Sequence, residues 1–283
     1  MPRPLIEIEN LSFAYETQGG DAVQALSNVS ATVNEGVYLA ILGPNGSGKS
    51  TLAKCLNGLL LPNEGQVRVM GLDTRDRPRL LRIRSLVAMA FQNPDNQFVA
   101  TTVEEEVAFG PENLGISHPE LEQRVRSALA DTGLAHRAQD NPRLLSAGEK
   151  ARLAVASLLA MQPRCLVLDE STAMLDPVSR VRMRELLTRL HRQGLTIVLI
   201  THYMDEAADA EQVLVLHQGR VALQGSPDEV FAQDERLREI GLSGPPARLL
   251  SSGLARRGLP IQPVLTVDDL VATLLAPNEA SHG

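Results

Sequence analysis

The run Gly43-Pro44-Asn45-Gly46-Ser47-Gly48-Lys49-Ser50 has the residue types and the spacing to hold a polyphosphate. It satisfies G-x-x-x-x-G-K-[ST]. The glycines let the backbone bend so that successive N–H groups surround a β-phosphate, Lys49 reaches the β and γ oxygens, and the Ser50 hydroxyl can ligate Mg²⁺. Thr51 opens TLAKCLNGLL, a helical pattern whose N-terminal dipole adds to the anion site. A second group stands far along the chain, where CLVLDE ends an apolar run with Asp169 and Glu170. Asp169 suits a water-mediated hold on Mg²⁺, and Glu170 suits polarising an attacking water. Two adjacent acids alone read equally well as a solvated turn; beside a complete phosphate loop the functional reading is favoured. His202 follows the apolar run LTIVLIT and can project at the same crevice to hydrogen-bond a γ-phosphate.

These residues need elements that bring them together. GVYLAILG, ahead of the glycine loop, is a continuous apolar run, the pattern of a strand buried on both faces. The runs Cys165–Asp169 and Leu195–Ile200 read the same way, and helical patterns separate them: SALADTGL, EKARLAVASLLAM and SRVRMRELLTRLHRQG. Strands alternating with helices predict an α/β fold with a mostly parallel sheet. At the carboxyl ends of such strands, ligands gather. The opening LIEIENLSFAY alternates apolar and polar residues and predicts an antiparallel strand. Residues from about 94 to 163 contain no convincing strand and read as a helical insertion. The texture changes after about residue 235 to a Gly-, Ser- and Pro-rich stretch, so residues 1–235 are expected to form the main unit and 236–283 a small α/β appendage. In that appendage Thr266 and Asp269 can cap a helix, with Leu265 stapled on Leu270.

The net charge of −7 and pI near 5.4 supply no global attraction to nucleic acid or anionic lipid, so bound phosphate must be held by local geometry. Cys55 and Cys165 lie far apart and outside any C-x-x-C, which suggests buried hydrophobes in a reducing cytosol. No apolar run approaches the roughly 20 residues of a spanning helix, and MPRPLIEIEN has no apolar signal core.

In this order the motifs resemble those of the P-loop ATPase subunits of ABC (ATP-binding cassette) transporters, over residues from about 5 to 235. The resemblance implies an ABC cassette with an antiparallel β subdomain and a helical subdomain, binding ATP and Mg²⁺. Tyr15 matches the adenine-stacking aromatic, Gly43 to Ser50 the Walker A motif, and Asp169 with Glu170 the Walker B pair. Gln92 matches the Q-loop glutamine, a metal-binding and catalytic position. Leu175-Asp176 matches the D-loop, His202 the switch histidine, and Leu145-Ser146-Ala147-Gly148-Glu149 the signature. Two such subunits sandwich two ATP molecules, Walker A of one facing the signature of the other. Ser146 and the Gly148 N–H, at a helix start, agree with a second anion site.

The family's usual signature is LSGGQ, whereas this chain has LSAGE. Ala147 requires a negative φ there, and Glu149 adds negative charge near a polyphosphate although it suits a first helical turn. In a heterodimer the change weakens the partner's site, in a homodimer both.

Residues 91–109, FQNPDNQFVATTVEEEVAF, closely resemble the ATPases of energy-coupling factor (ECF) transporters, importers of vitamins or of cobalt and nickel ions. That resemblance implies a second ATPase subunit, a transmembrane coupling protein and a membrane substrate-binding component, at the cytoplasmic face of the membrane. Pro94 keeps Asn93 out of helix, and Asp95 is expected to receive an arginine of a coupling helix. Thr102 with Glu105 forms a capping box, and Glu104, Glu105 and Glu106 are expected to be a solvated helix start. Other ABC transporter ATPases and soluble, non-transport ABC ATPases stand as alternatives.

Overall fold

The computed structural model describes residues 3–16, 20–92 and 98–275. Strands β3 (Tyr38–Leu42), β7 (Cys165–Asp169) and β8 (Thr196–Ile200) are buried at every position. They lie side by side in parallel register, Ile41 beside Ile200 and Asp169 beside Ile200. Alternation inside each strand splits the core in two. Leu39, Ile41, Cys165, Val167, Val198 and Ile200 face one cluster, and Tyr38, Ala40, Leu42, Leu166, Leu168, Ile197 and Leu199 face the other. A strand that must satisfy two apolar layers carries no polar alternation, which is why these three were legible as unbroken runs. β6 (Val87–Ala90), β9 (Gln212–His217) and the antiparallel edge strand β10 (Arg220–Gly225) complete a six-stranded sheet ordered β10-β9-β3-β8-β7-β6.

The predicted antiparallel strand is β1 (Pro4–Glu16). It pairs with β2 (Ala22–Asn34) on one side and β4 (Glu64–Val69) on the other, with β5 (Leu72–Asp73) outside β4. Helices α1 (Lys49–Leu56) and α2 (Leu80–Leu86) contribute Leu52, Leu56, Ile83 and Leu86 to the core cluster shared by the two sheets. Cys55 and Cys165 are buried in it and free; burial pushes the Cys55 thiol up to about 12, so both act as small hydrophobes.

Between β6 and β7 the described residues form helices only: α3 (Val103–Asn113), α4 (His118–Asp131) and α5 (Ala147–Leu159), with single-turn 3₁₀ segments. Their apolar faces make a separate cluster around Val107, Leu129, Leu134, Leu153 and Ala156. Thr102 and Glu105 form the expected capping box on α3. Glu106 departs from the solvated role expected of it. Its side chain is buried, and its Oε2 accepts the N–H groups of Val99 (2.8 Å) and Ala100 (2.9 Å), tying the preceding loop to the helix.

After β7 come α6 (Pro177–Arg192), α7 (Met204–Ala208), α8 (Pro227–Phe231) and α9 (Asp234–Glu239). The C-terminal stretch holds α10 (Pro246–Arg256) and α11 (Val267–Leu275). The α/β character expected there is corrected: among its described residues it is helical. Pro260 and Pro263 lack the N–H donors a ladder needs, and Leu259–Val264 runs without strand pairing. Thr266 Oγ1 accepts the Asp269 N–H (3.1 Å) at the start of α11, and Leu265 and Leu270 are both buried, as the cap and staple predict. No helix among the described residues is long and apolar enough to cross a membrane.

Candidate functional site

The phosphate loop leaves the carboxyl end of β3 and enters α1. Two of its glycines are required by contact as well as by backbone angle. A Cβ on Gly43 (φ +153°) would lie 2.3 Å from the Leu216 carbonyl oxygen, and one on Gly48 (φ +102°) would lie 2.5 Å from the Ala25 carbonyl oxygen. Helix α1 has no side-chain cap and no acid in its first turn, so its leading N–H groups are left for an anion. Lys49 is buried, and its Nζ donates to the carbonyl oxygens of Gly43 (2.8 Å) and Pro44 (3.1 Å). Burial lowers its pKa, while Glu170 and Asp169 raise it back in part.

The acids at the end of β7 reach the same place. Ser50 Oγ donates to Asp169 Oδ1 at 2.9 Å. Burial pushes the Asp169 carboxyl up; the Ser50 hydrogen bond draws it down, Glu170 pushes it up, and Lys54 and Lys49 draw it down. Glu170 Oε1 lies 3.9 Å from Lys49 Nζ, and Gln92 Nε2 donates to Glu170 Oε2 at 3.1 Å. The Glu170 backbone is left-handed (φ 49°), which turns the chain sharply after the strand; its N–H donates to the Ile200 carbonyl of β8 (3.0 Å).

Tyr15, Asn45, Gly46, Ser47, Gly48 to Thr51, Gln92 and Glu170 line one cleft of about 550 Å³. Val23, Gln24 and Ala25 of β2 complete the wall, and no motif pointed to them. Tyr15 is 41% exposed at the rim, with its hydroxyl 3.1 Å from Thr51 Oγ1 and its ring edge-on to Phe13. Ser47 is 3% exposed, and among the described residues its buried hydroxyl has no hydrogen-bond partner. An uncapped helix start, a buried lysine and an orphan hydroxyl fit a polyphosphate. The oxygen donors of Ser50, Asp169 and Gln92 fit Mg²⁺, which takes hard oxygen ligands.

His202, Ser146 and Gly148 do not line this cleft. His202 is exposed just beyond β8, its ring centroid 4.2 Å from that of Tyr203, which in turn carries the Arg180 guanidinium 3.9 Å above it. Ser146 caps α5, and here the chain differs from an open anion site. Glu149 Oε2 accepts the Ser146 N–H (2.9 Å) and hydroxyl (2.8 Å), and the Glu149 N–H donates to Ser146 Oγ (3.3 Å). The Ser146 N–H and hydroxyl hold the Glu149 carboxyl below the usual range. Ala147 keeps a negative φ as the first residue of the helix, so the missing glycine causes no strain there. Gly148 cannot be replaced so easily: a Cβ would lie 2.3 Å from Ser179 Oγ. Ser179 Oγ donates in turn to Asp176 Oδ2 (2.6 Å), so the LSAGE helix abuts the start of α6. Asp95 lies outside the described residues.

A family profile described as ABC transporter matches residues 26–173. An "Energy-coupling factor transporter ATP-binding protein EcfA1" of Symbiobacterium thermophilum is 50% identical over 280 residues, covering 97% of this chain and 98% of the relative. The protein of the same name from Clostridium novyi is 44% identical, covering 97% and 99%. Among solved structures, cbiO1 from Clostridium perfringens, described as part of the ABC transporter complex cbiONQ, is similar. Its TM-score is 0.76 at 34% identity, over 90% of this chain and 99% of that one. The ATP-binding cassette MJ0796, dimeric and bound to ADP and Pi, is similar with TM-score 0.71 at 29% identity, over 78% of this chain and 98% of that one. The chain therefore belongs to the ABC transporter ATP-binding proteins, within the energy-coupling factor group, and is an ATPase whose hydrolysis is coupled to transport.

Proposed function

We propose that this chain drives an ECF-type importer of a vitamin or a transition-metal ion, cobalt or nickel. In this reading it works as one of two ATPase subunits on the cytoplasmic face of the membrane. The observation that carries the assignment of roles is the meeting of Lys49, Ser50, Gln92 and Glu170 in one cleft, with Asp169 hydrogen-bonded to Ser50 behind it. Lys49 and the α1 N–H groups hold the β- and γ-phosphates, and Tyr15 stacks on adenine. Ser50, Gln92 and Asp169 would hold Mg²⁺, which when bound would supply charge neutralisation at the transferred phosphoryl group. Glu170 orients and deprotonates the attacking water, and Gln92, hydrogen-bonded to Glu170, links that act to the segment that follows it. His202 holds the γ-phosphate from the switch loop. Ser146 and the Gly148 N–H serve a phosphate bound mainly by the second subunit, which makes dimerisation part of the reaction.

The transporter reading is supported by the relatives' name and by the description of cbiO1 as part of an ABC transporter complex; the cargo follows from the family resemblance of the sequence alone. Asp95, in the 92–98 segment, is the proposed contact for an arginine of the transmembrane coupling protein. Tagged chain purified from membranes in mild detergent is expected to bring down a hydrophobic coupling protein, together with a membrane substrate-binding component whose ligand names the cargo. Asp95→Arg is expected to lose those partners while binding ATP as before; unchanged co-purification sinks the Asp95 contact. Recovery of soluble partners alone sinks the importer.

A further inference from the structure

Glu206, on α7, is fully buried and takes no part in the roles described above. Its Oε2 accepts two hydroxyl hydrogen bonds, from Thr201 Oγ1 at 2.5 Å and from Thr172 Oγ1 at 3.0 Å. An ionised carboxylate can only accept, so both threonines donate. The Thr201 hydroxyl oxygen also receives the Tyr203 N–H at 3.0 Å, which orders the turn carrying His202. The two threonines are themselves buried and come from different strand ends: Thr172 two residues after Glu170, Thr201 one residue before His202. The other oxygen, Oε1, is buried and has no partner among the described residues. Leaving half of a buried carboxylate unsatisfied is costly. A position filled for packing alone would hold an apolar side chain, as its neighbour Ala207 does. Burial pushes the Glu206 carboxyl above its usual range. The Thr201 and Thr172 hydroxyls draw it back, Asp205 pushes it up and Arg180 draws it down.

We propose that Glu206 is a positioning residue for hydrolysis: by taking both threonine hydroxyls on one oxygen, it sets the spacing between the loop carrying Glu170 and the loop carrying His202. The inference rests on the reading that Glu170 and His202 act at the γ-phosphate. The direct bond from the Glu170 N–H to the Ile200 carbonyl joins the same two strand ends through the backbone. The carboxylate adds a side-chain tie just beyond it, through Thr172 and Thr201.

The test is steady-state ATPase kinetics and nucleotide binding on the full chain with Glu206→Gln and Glu206→Leu. The glutamine oxygen can accept both hydroxyls, whereas leucine fills a similar volume with no acceptor. Glu206→Leu is expected to lower kcat roughly tenfold or more with KM for ATP within about twofold, since ATP binding does not use this tie. Glu206→Gln is expected to restore most of kcat. Unchanged kcat in Glu206→Leu overturns the proposal. So does equal loss in both variants, or a loss of nucleotide affinity that matches the loss of rate. Should Glu206→Leu not fold, Thr172→Val with Thr201→Val removes the same donors at constant shape, and retained kcat there is equally fatal. Glu170→Gln run alongside separates the failures: full turnover in that variant removes the reading of the site, whatever Glu206 does.

Discussion

Glu170 stands in a left-handed backbone conformation with its carboxylate between the Gln92 amide and the Lys49 ammonium. A non-glycine residue is strained there, and the strain aims the side chain into the cleft rather than along the strand. Glutamine at this position keeps the shape and an acceptor for Gln92 but cannot take a proton. Glu170→Gln is therefore expected to bind ATP normally and to lose roughly 10²- to 10⁴-fold in kcat, the usual worth of a positioned base. Phosphate release measured beside nucleotide binding checks it; substantial residual turnover would require another base. Burial likewise separates Glu106 from the solvated role its sequence implies and gives Glu206 a role that its sequence does not signal. An acid in a helical run looks solvated, and only burial beside the loop N–H groups of Val99 and Ala100, or beside two threonine hydroxyls, makes it structural.

Two helix starts in this chain face opposite electrostatic situations. Helix α1 opens with no acid and no side-chain cap, whereas α5 opens with a reciprocal Ser146–Glu149 box that places a carboxylate on its positive end. A charge there is worth about 0.3–1 kcal/mol at low ionic strength, and less as salt rises. In Glu149→Gln the side-chain oxygen can still accept from Ser146, while the charge that opposes an incoming phosphate is gone. KM for ATP is expected to fall by roughly two- to fivefold at low ionic strength, with the gain shrinking as salt rises. Since the Ser146 hydrogen bonds hold Glu149 below the usual carboxyl range, it remains charged at neutral pH, and the gain should be constant between about pH 6 and 8. ATPase assays across salt and pH test this. A salt-independent effect, or none, would mean that Glu149 acts as a cap alone.

At the scale of the whole molecule, the cleft exists because β3, β7 and β8 end level in one parallel sheet, with β2 of the antiparallel sheet closing the far wall. Binding to this assembled state stabilises it. At about 100 times its Kd, nucleotide is expected to add about 2.7 kcal/mol and to raise the melting temperature measurably. Lys49→Ala is expected to abolish that upshift while melting near the parent without nucleotide; an undiminished upshift would show that phosphate is held elsewhere. Much of this was readable in the sequence. The glycine–lysine loop between an apolar run and a helix, the acids at the end of another such run, and the Thr102 and Thr266 caps are local, because each is set by residues a few positions apart. The all-helical stretch before β7 was legible for the same reason. What only the tertiary structure decided are the relations between distant segments. Strands β5 and β6 are too short to show a period, and β2 is bulged where it pairs with β1. The cleft wall of Val23 to Ala25, the Ser179 contact that reserves position 148 for glycine, and the buried Glu206 between two loops all join residues remote along the chain. Local sequence fixes which groups can do chemistry; burial and sheet order decide which of them meet, because desolvation and hydrogen bonding act across space rather than along the chain.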